Sequence, residues 1–368
     1  MSISHNERVL SLDLFRGLTM LFLLAEGTNL YYFLNVAVPE NSILHNITLQ
    51  FYHAQWHGMR FWDLIQPYFT FIIGVAMAFS LKKRREGGEI WIETFQHIVF
   101  RCMILFFLGI MLQSGYRGKL AWDLYNILTQ LSISILITFL IFRFPYVSQL
   151  IVSFSLLIIT EILYRYISIE GFDQPFVKDR NFGTLIDLAL MGKTHPDGWV
   201  VFNCIPTTAQ MIWGGLTGKV LLNFNKHSQR INILFAAALT ALIIGYGMDL
   251  VGATPIIKHI STSSFVIASG GWCILSFALL YWLVDVKQYK KFVNFFAVVG
   301  MNSIFIYVFS RTVGRSFLNE FIPIFTKGFT GWFGLSEGIV NFTTYLTILG
   351  IEWYLCYWLY KENIFIRI

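Results

Sequence analysis

The chain has 368 residues, of which 56% are hydrophobic, 17% aromatic and only 13% charged. This composition excludes an ordinary soluble globular domain and indicates a polytopic membrane protein. The net charge of +6 is explained by basic loops that meet anionic lipid headgroups. Because no nucleic-acid-binding motif accompanies that charge, we exclude nucleic acid as a partner and expect membrane lipids instead.

Apolar segments of about 20 residues, long enough to cross roughly 30 Å of hydrocarbon as helices, recur from end to end. They predict an all-α protein with a single transmembrane domain, residues 1–368, and about ten membrane-spanning helices, with eleven as the upper limit. The predicted spans are residues 10–33, 62–81, 94–113, 126–143, 147–167, 205–222, 231–251, 262–284, 292–312 and 337–360.

Basic residues alternate with the spans in a way that indicates orientation. With a cytoplasmic amino terminus, the inside segments hold Lys82, Lys83, Arg84, Arg85, Arg143, Lys226, Arg230, Lys287, Lys290, Lys291, Lys361 and Arg367. The positive-inside rule therefore predicts that both termini are cytoplasmic. The amino-terminal "MSISHNERV" has no strong basic region and no cleavage site follows the first span, so we expect that span to be retained. The predicted location is the cell (inner) membrane.

The four cysteines are Cys102, Cys204, Cys273 and Cys356. All fall in or beside apolar spans, and none has CxxC spacing, so the sequence indicates neither a disulfide framework nor a zinc site. We predict no metal cofactor.

The stretch "FYHAQWHGMRFWDLIQPYF", residues 51–69, places two histidines, a tryptophan and an aspartate at the outer entrance of the second span. Upstream, "NSILHNITLQF" puts its apolar residues on one helical face, which predicts a short helix lying in the membrane interface. His57 follows His53 by four residues, a spacing that on a helix permits a shared metal. No third ligand is indicated, so we interpret His57 as a substrate contact. Trp56 suits stacking on a substrate ring, although anchoring at the interface is its ordinary role.

Ionisable residues within or beside the spans are functional candidates because charge is costly in hydrocarbon. Glu161 and Arg165 are four residues apart and can neutralise each other on one helix face. Glu26 and Asp63 have no evident basic neighbour in sequence, and both are predicted near the outer side. In the long outer loop, residues 168–204, "TLIDLALMG" predicts a short helix carrying Asp187, a further candidate substrate contact.

Four segments carry a family resemblance: "SLDLFRGLTM" (11–20), "HAQWHGMRFWDLIQPYFTFIIGVAMAFSL" (53–81), "TSSFVIASGGW" (262–272) and "VGMNSIFIYV" (299–308). With these motifs in this order, and with "IPTTAQMIWGGLTGKVL" (205–221) as a further matching segment, the chain resembles the heparan-α-glucosaminide N-acetyltransferase family. The likeness extends over nearly the whole chain.

The resemblance implies transfer of an acetyl group from cytosolic acetyl-CoA, as co-substrate, to the amino group of a glucosamine-type acceptor across the membrane. It also implies a homodimer. The histidine of the family pattern H-x-x-W-x-G-x-x-x-x-D-L-I-x-P is the proposed active-site residue, and it falls on His53. Many relatives have an asparagine-rich turn where this chain reads "LLAEGTNLY", with Glu26. The large lumenal domain of the lysosomal enzyme has no counterpart in this sequence, so we do not expect heparan sulfate itself as the substrate.

Acetyl transfer to an amine needs a group that accepts a proton, and neutral imidazole suits this task near neutral pH. His53 is either a general base or a nucleophile that carries the acetyl group, and the sequence leaves both open. Asp63 can orient His53 or a substrate hydroxyl, or cap the following helix. Asn302 is a candidate donor to the developing oxyanion, or an ordinary interhelical hydrogen-bonding residue.

The phosphates of CoA favour arginine and lysine, so Arg16 and the run Lys82, Lys83 and Arg84 are the predicted donor-binding residues. Two other functions stay open. One is an inner-membrane transporter of amino sugars or oligosaccharides, against which no internal repeat or matching pair of broken spans is evident. The other is an O-acetyltransferase acting on an envelope glycan, for which the same histidine would serve.

Overall fold

A computed structural model of the chain describes residues 9–366. Within that range no strand forms, and β-pairing is limited to a single bridge between His57 and Ile257, so the all-α prediction is confirmed. The amino-terminal residues 1–8 and Arg367, which the sequence assigns to the cytoplasm, lie outside the described residues. The helices are α1 (Leu10–Gly27), α2 (Leu30–Ala37), α3 (Ile43–Thr48), α4 (Ile65–Glu86), α5 (Trp91–Arg117), α6 (Ile127–Ile141), α7 (Tyr146–Tyr166), α8 (Phe182–Met191), α9 (Cys204–Asn223), α10 (His227–Leu250), α11 (Ser263–Tyr281), α12 (Val293–Met301), α13 (Ser303–Phe309), α14 (Asn319–Gly331) and α15 (Glu337–Lys361).

Each predicted span falls on one of these helices or on a consecutive pair. Among the described residues, five helices are long and apolar enough to cross a membrane, and a bent pair gives a sixth. The five are Phe61–Glu86, Trp91–Arg117, Tyr146–Tyr166, His227–Leu250 and Ser263–Val286, and the bent pair is Val293–Met301 with Ser303–Gly331. The chain therefore has the helices of a membrane protein, while the count of about ten spans and the orientation of the termini stay predictions.

Two predicted spans are not continuous helices. The segment 10–33 divides into α1 and α2 at Asn29, whose φ of 67° is left-handed, a conformation that asparagine tolerates better than most residues. The segment 292–312 breaks at Asn302, and the helices on either side differ in direction by 73°. Hydropathy does not register such breaks because the residues on both sides remain apolar.

The described chain forms two compact units, which we name by their place in the sequence. The terminal unit comprises the residues up to Tyr52, Arg60–Trp62 and the residues from Leu280 onward. The central unit comprises His53–Met59 and Asp63–Leu279. The prediction of a single transmembrane domain over residues 1–368 stays a prediction.

In the central unit, α4 and α9 pack with their backbones in close approach. A Cβ atom added to Gly74 would lie 2.0 Å from the carbonyl oxygen of Met211, and one added to Gly214 would lie 2.1 Å from that of Phe71. Only glycine fits at both positions, as in other close helix contacts within membranes. This contact fixes α4, the helix that begins directly after Asp63.

In the terminal unit, the first turn of α1 is capped by a side chain distant in sequence. The Asp285 carboxylate accepts hydrogen bonds from the backbone N–H groups of Leu10 and Ser11, at 3.1 and 3.0 Å. An acidic group here satisfies otherwise unpaired donors and complements the helix dipole.

The two short helices predicted outside the spans are both present. The segment before His53 forms α3, where the Ser42 hydroxyl accepts from the His45 N–H, and Ile43 and Leu44 are 80% and 59% exposed. This exposed apolar face suits a membrane interface. The outer-loop helix is α8, whose amino end is capped by the Asn181 side chain.

Candidate active site

The loop 53–59 is irregular, so His53 and His57 do not share a helix face, and the helical spacing considered for a shared metal is wrong. The His57 Nε2 atom lies 2.7 Å from Asp249 Oδ1, and the Gly58 N–H donates to the Ile256 carbonyl at 2.8 Å. Gly58 adopts a φ of 101°, which favours glycine. His57 thus ties this loop to the last turn of α10, and Gly58 ties it to the segment that follows. The predicted role of His57 as a substrate contact stays a prediction.

His53 contacts a buried carboxylate. Its Nδ1 atom lies 2.8 Å from Asp63 Oδ1, and the other carboxylate oxygen accepts the Ala54 N–H at 3.1 Å. The His53 side chain is 41% exposed, whereas Asp63 is 0% exposed. Of the roles considered for Asp63, the geometry favours orienting His53, because the carboxylate contacts the His53 ring with one oxygen and the backbone of the next residue, Ala54, with the other.

Lys258 is a third member of this cluster, and no sequence pattern predicts its place there. It comes from the loop between α10 and α11, and its Nζ atom lies 3.2 Å from His53 Nδ1 and 3.6 Å from Asp63 Oδ1. Its side chain is only 4% exposed. Two buried charges of opposite sign therefore meet behind the His53 ring.

Aromatic rings border the cluster on another side. Trp199 meets the His53 ring edge to face at a centroid distance of 5.4 Å, and the His259 ring lies 4.2 Å from Trp199. Trp56 stacks on His259 at 5.3 Å and donates its indole N–H to the Phe176 carbonyl. Burial, with the charge of Lys258 as the next cause, lowers the pKa of His259 to about 4, so this ring is neutral at physiological pH.

The surroundings of Trp56 bear on both of its predicted roles. One face of its ring is used by His259, and its only polar atom is bound within the protein. Stacking on a sugar and anchoring at the interface stay predictions.

Asp187 is buried, with 1% of its surface exposed. Its oxygens accept hydrogen bonds from the Val201 N–H at 2.9 Å and from the Tyr125 hydroxyl at 3.1 Å. Burial raises the pKa of this carboxyl to about 7. These contacts fasten α8 to the segment before α9, so the geometry gives Asp187 a structural role, while substrate contact stays a prediction.

Three predicted site residues belong to the terminal unit: Asn302, Arg16 and Glu26. Asn302 is 0% exposed; its amide donates to the Ile364 carbonyl and accepts from the Ile366 N–H, at 3.0 and 2.8 Å. It therefore holds the carboxyl-terminal segment, and its predicted oxyanion role is not tested. Arg16 is half-buried on α1.

Glu26, which has no basic neighbour in sequence, has one in the structure. Its carboxylate lies 2.5 Å from the Arg311 guanidinium, which is 285 residues away along the chain. The isolated acid inferred from the sequence is thus an ion pair.

The predicted basic run lies at the carboxyl end of α4, where positive charge complements the helix dipole. Lys82 is 3.6 Å from Glu86 and Arg84 is 2.8 Å from Glu89, while Lys83 is exposed. Binding of CoA phosphates by these residues stays a prediction. Over residues 9–366 no three histidine, cysteine, aspartate or glutamate side chains group as metal ligands.

The apolar helices and this cluster define a class: a helical membrane protein with a half-exposed histidine backed by a buried aspartate and lysine. No family model matches the chain. It is similar to the curated heparan-alpha-glucosaminide N-acetyltransferase of Mus musculus, with 24% identity over 386 aligned residues covering 87% of this chain and 55% of that protein. It is also similar to the Homo sapiens protein of the same name, with 23% identity over 367 residues covering 82% and 52%.

The chain spans about half the length of these curated relatives. It is a distant relative of the heparan-alpha-glucosaminide N-acetyltransferases, and the resemblance carried by its motifs is confirmed.

Proposed function

We propose that the chain is a transmembrane acetyltransferase that takes an acetyl group from cytosolic acetyl-CoA. The acceptor is the amino group of a glucosamine-type sugar on the extracytoplasmic side. The observation that carries this proposal is the 2.8 Å contact between His53 Nδ1 and the fully buried Asp63 carboxylate, in a distant relative of N-acetyltransferases.

The contact with Asp63 supports reaction at Nε2 of His53. A carboxylate only accepts hydrogen bonds, so Nδ1 carries the proton and donates it to Asp63 Oδ1. The lone pair then lies on Nε2, in a side chain that is 41% exposed. A carboxylate in this position holds the ring orientation and stabilises the imidazolium that forms during proton transfer.

Two routes use this nitrogen. In the direct route, Nε2 removes a proton from the acceptor amine as its nitrogen bonds to the acetyl carbon, the carbon–sulfur bond breaks, and CoA leaves as the thiol after taking up the proton. In the covalent route, Nε2 first bonds to the acetyl carbon, the carbon–sulfur bond breaks, and CoA leaves as the thiolate. The amine nitrogen then bonds to the acetyl carbon, the bond to Nε2 breaks, and the proton that the amine loses is taken up by the thiolate.

The finer parts of the proposal follow the sequence. The chain crosses the inner membrane about ten times, both termini are cytoplasmic, and the protein is a homodimer. Arg16, Lys82, Lys83 and Arg84 bind the phosphates of CoA, and the acceptor meets the protein near Trp56 and His57.

The test is acetyl transfer from isotope-labelled acetyl-CoA to glucosamine by purified protein in detergent, read by mass spectrometry. Wild type should form labelled N-acetylglucosamine, and His53→Ala should reduce the rate by about 100-fold or more. His97→Ala is the matched control, because it removes an exposed imidazole on α5 that belongs to no proposed site, and it should keep most of the activity.

A His53→Ala protein that is folded and as active as wild type would refute the role of His53. Absence of product from wild type with amino sugars and with sugar hydroxyls, together with absence of CoA binding, would favour transport instead. Incubation with acetyl-CoA alone separates the two routes, because only the covalent route leaves an acetyl group on His53.

A further inference from the structure

Lys258 belongs to none of the motifs that carry the family resemblance, yet it lies against both proposed catalytic groups. We propose that Lys258 is a positioning residue whose charge opposes protonation of His53, so that His53 meets the acetyl donor as a neutral imidazole with Nε2 unprotonated. The inference rests on the proposed function for its place in the reaction, but its electrostatic content can be tested without acetyl transfer.

The first step of the inference rests on the burial of two charged side chains, Asp63 and Lys258. Asp63 is 0% exposed and Lys258 is 4% exposed, so neither charge is stabilised by bulk water, and each needs the other. The ammonium also lies 5.3 Å from the centre of the Trp199 ring, a favourable cation–π position. Removing one member of such a pair leaves an uncompensated buried charge.

The position of the proton on His53 carries the second step. An ammonium has no lone pair and cannot accept the Nδ1 proton, and Nδ1 is closer to Asp63, at 2.8 Å, than to Lys258, at 3.2 Å. We therefore assign the Nδ1 hydrogen bond to the carboxylate. Lys258 then acts on the ring through its charge alone.

The third step is the sign of that action. A proton on Nε2 would make the ring an imidazolium beside an ammonium, and like charges about 4 Å apart repel by about 1 kcal/mol in water and about 4 kcal/mol at an effective dielectric constant of 20. Asp63 acts in the opposite sense. Among the described residues, His259 also interacts electrostatically with His53; it is neutral because burial lowers its pKa to about 4, and the Asp197 carboxylate acts on it as well. Trp199 carries no charge.

The experiment measures how readily His53 reacts with diethylpyrocarbonate, a reagent that modifies an imidazole only when the ring is unprotonated. Full-length protein in detergent is treated briefly at a series of pH values, and peptide mass spectrometry gives the modification rates of His53 and His57. The variants are Lys258→Met, Lys258→Arg, Asp63→Asn and the double variant Lys258→Met/Asp63→Asn. His57 is the internal control, since it is exposed and its partner is Asp249.

Lys258→Met should move the pH midpoint of His53 modification upward by about one unit, which lowers the rate about tenfold at pH values well below both midpoints. Lys258→Arg keeps the charge and should stay near wild type. Asp63→Asn should move the midpoint downward, and the double variant should return toward wild type. The His57 midpoint should stay unchanged in all of them.

An unchanged or lowered His53 midpoint in folded Lys258→Met would overturn the proposal. If Lys258→Met does not fold, the double variant replaces it, because it leaves neither charge buried alone. A double variant whose His53 midpoint matches that of Asp63→Asn instead of wild type would also overturn the proposal. Acetyl transfer is measured on the same preparations. A shifted midpoint in a protein that transfers no acetyl group refutes the proposed function alone, whereas active protein with no shift refutes the role of Lys258 alone.

Discussion

Gly74→Ala tests the packing that holds α4 in the central unit. The added methyl group would lie 2.0 Å from the Met211 carbonyl oxygen and 2.9 Å from the Gly215 nitrogen. Ordinary contacts begin at 3.4 Å, so α4 and α9 must separate locally by the difference between 3.4 and 2.0 Å, about 1.4 Å. Because the opposing atoms belong to backbone, no side chain can move aside.

Two opposing effects determine how much Gly74→Ala changes the free energy of unfolding. Alanine favours the helix over glycine by about 0.5–1 kcal/mol, whereas forcing a methyl group into a filled core costs about 1–3 kcal/mol, and rigid backbone neighbours favour the upper part of that range. We expect a net loss of about 1–2 kcal/mol in the free energy of unfolding. Since α4 follows Asp63 directly, a shift of about 1 Å should also reduce acetyl transfer, by up to about 100-fold.

The assay is the apparent midpoint of thermal unfolding in detergent at one fixed scan rate, with acetyl transfer on the same samples. Gly247→Ala, in α10, is the matched control: no atom lies within 4 Å of the added methyl group, so this variant should unfold at or slightly above the wild-type midpoint. A Gly74→Ala protein that unfolds as high as Gly247→Ala would refute the close packing of α4 against α9.

Two further predictions concern the predicted site residues whose contacts are structural. Burial raises the pKa of Asp187 from an ordinary 3.8 to about 7. The protonated carboxyl therefore stabilises the fold at low pH, and this stabilisation is lost as the pH rises through about 7. Between pH 5 and 8 the free energy of unfolding of wild type should fall by about 3 kcal/mol more than that of Asp187→Asn. Parallel profiles of the thermal midpoint against pH would contradict this. Asn302→Ala removes both hydrogen bonds to the segment 364–366 and should increase the rate of trypsin cleavage after Lys361 about tenfold; an unchanged rate would show that Asn302 does not hold this segment.

Hydropathy located the helices well because a membrane helix depends mainly on its own apolar side chains. It missed the breaks at Asn29 and Asn302, since each is a local backbone change within an apolar segment. The four-residue spacing of His53 and His57 would permit a shared metal only on a helix, whereas the loop 53–59 is held in an irregular conformation by contacts with residues near 249–257.

The candidate site likewise has residues that the sequence predicted and residues that it did not. His53 and Asp63 were found because they lie ten residues apart in one motif, and a short separation limits how far apart the chain can place them. No short separation in sequence indicated the places of Lys258, Trp199 and the partner of Glu26. Lys258, for example, is 205 residues from His53, and in sequence it is one of several basic residues in outer loops.

The sequence by itself determined that the protein is helical, apolar enough for a membrane, and distantly related to an acetyltransferase family, because these properties reside in composition and short motifs. Only the tertiary structure decided which charges meet. Pairing of Asp63 with Lys258 and of Glu26 with Arg311 depends on helix packing and loop paths over hundreds of residues. At Asp63, which is fully buried, burial makes an opposite charge necessary.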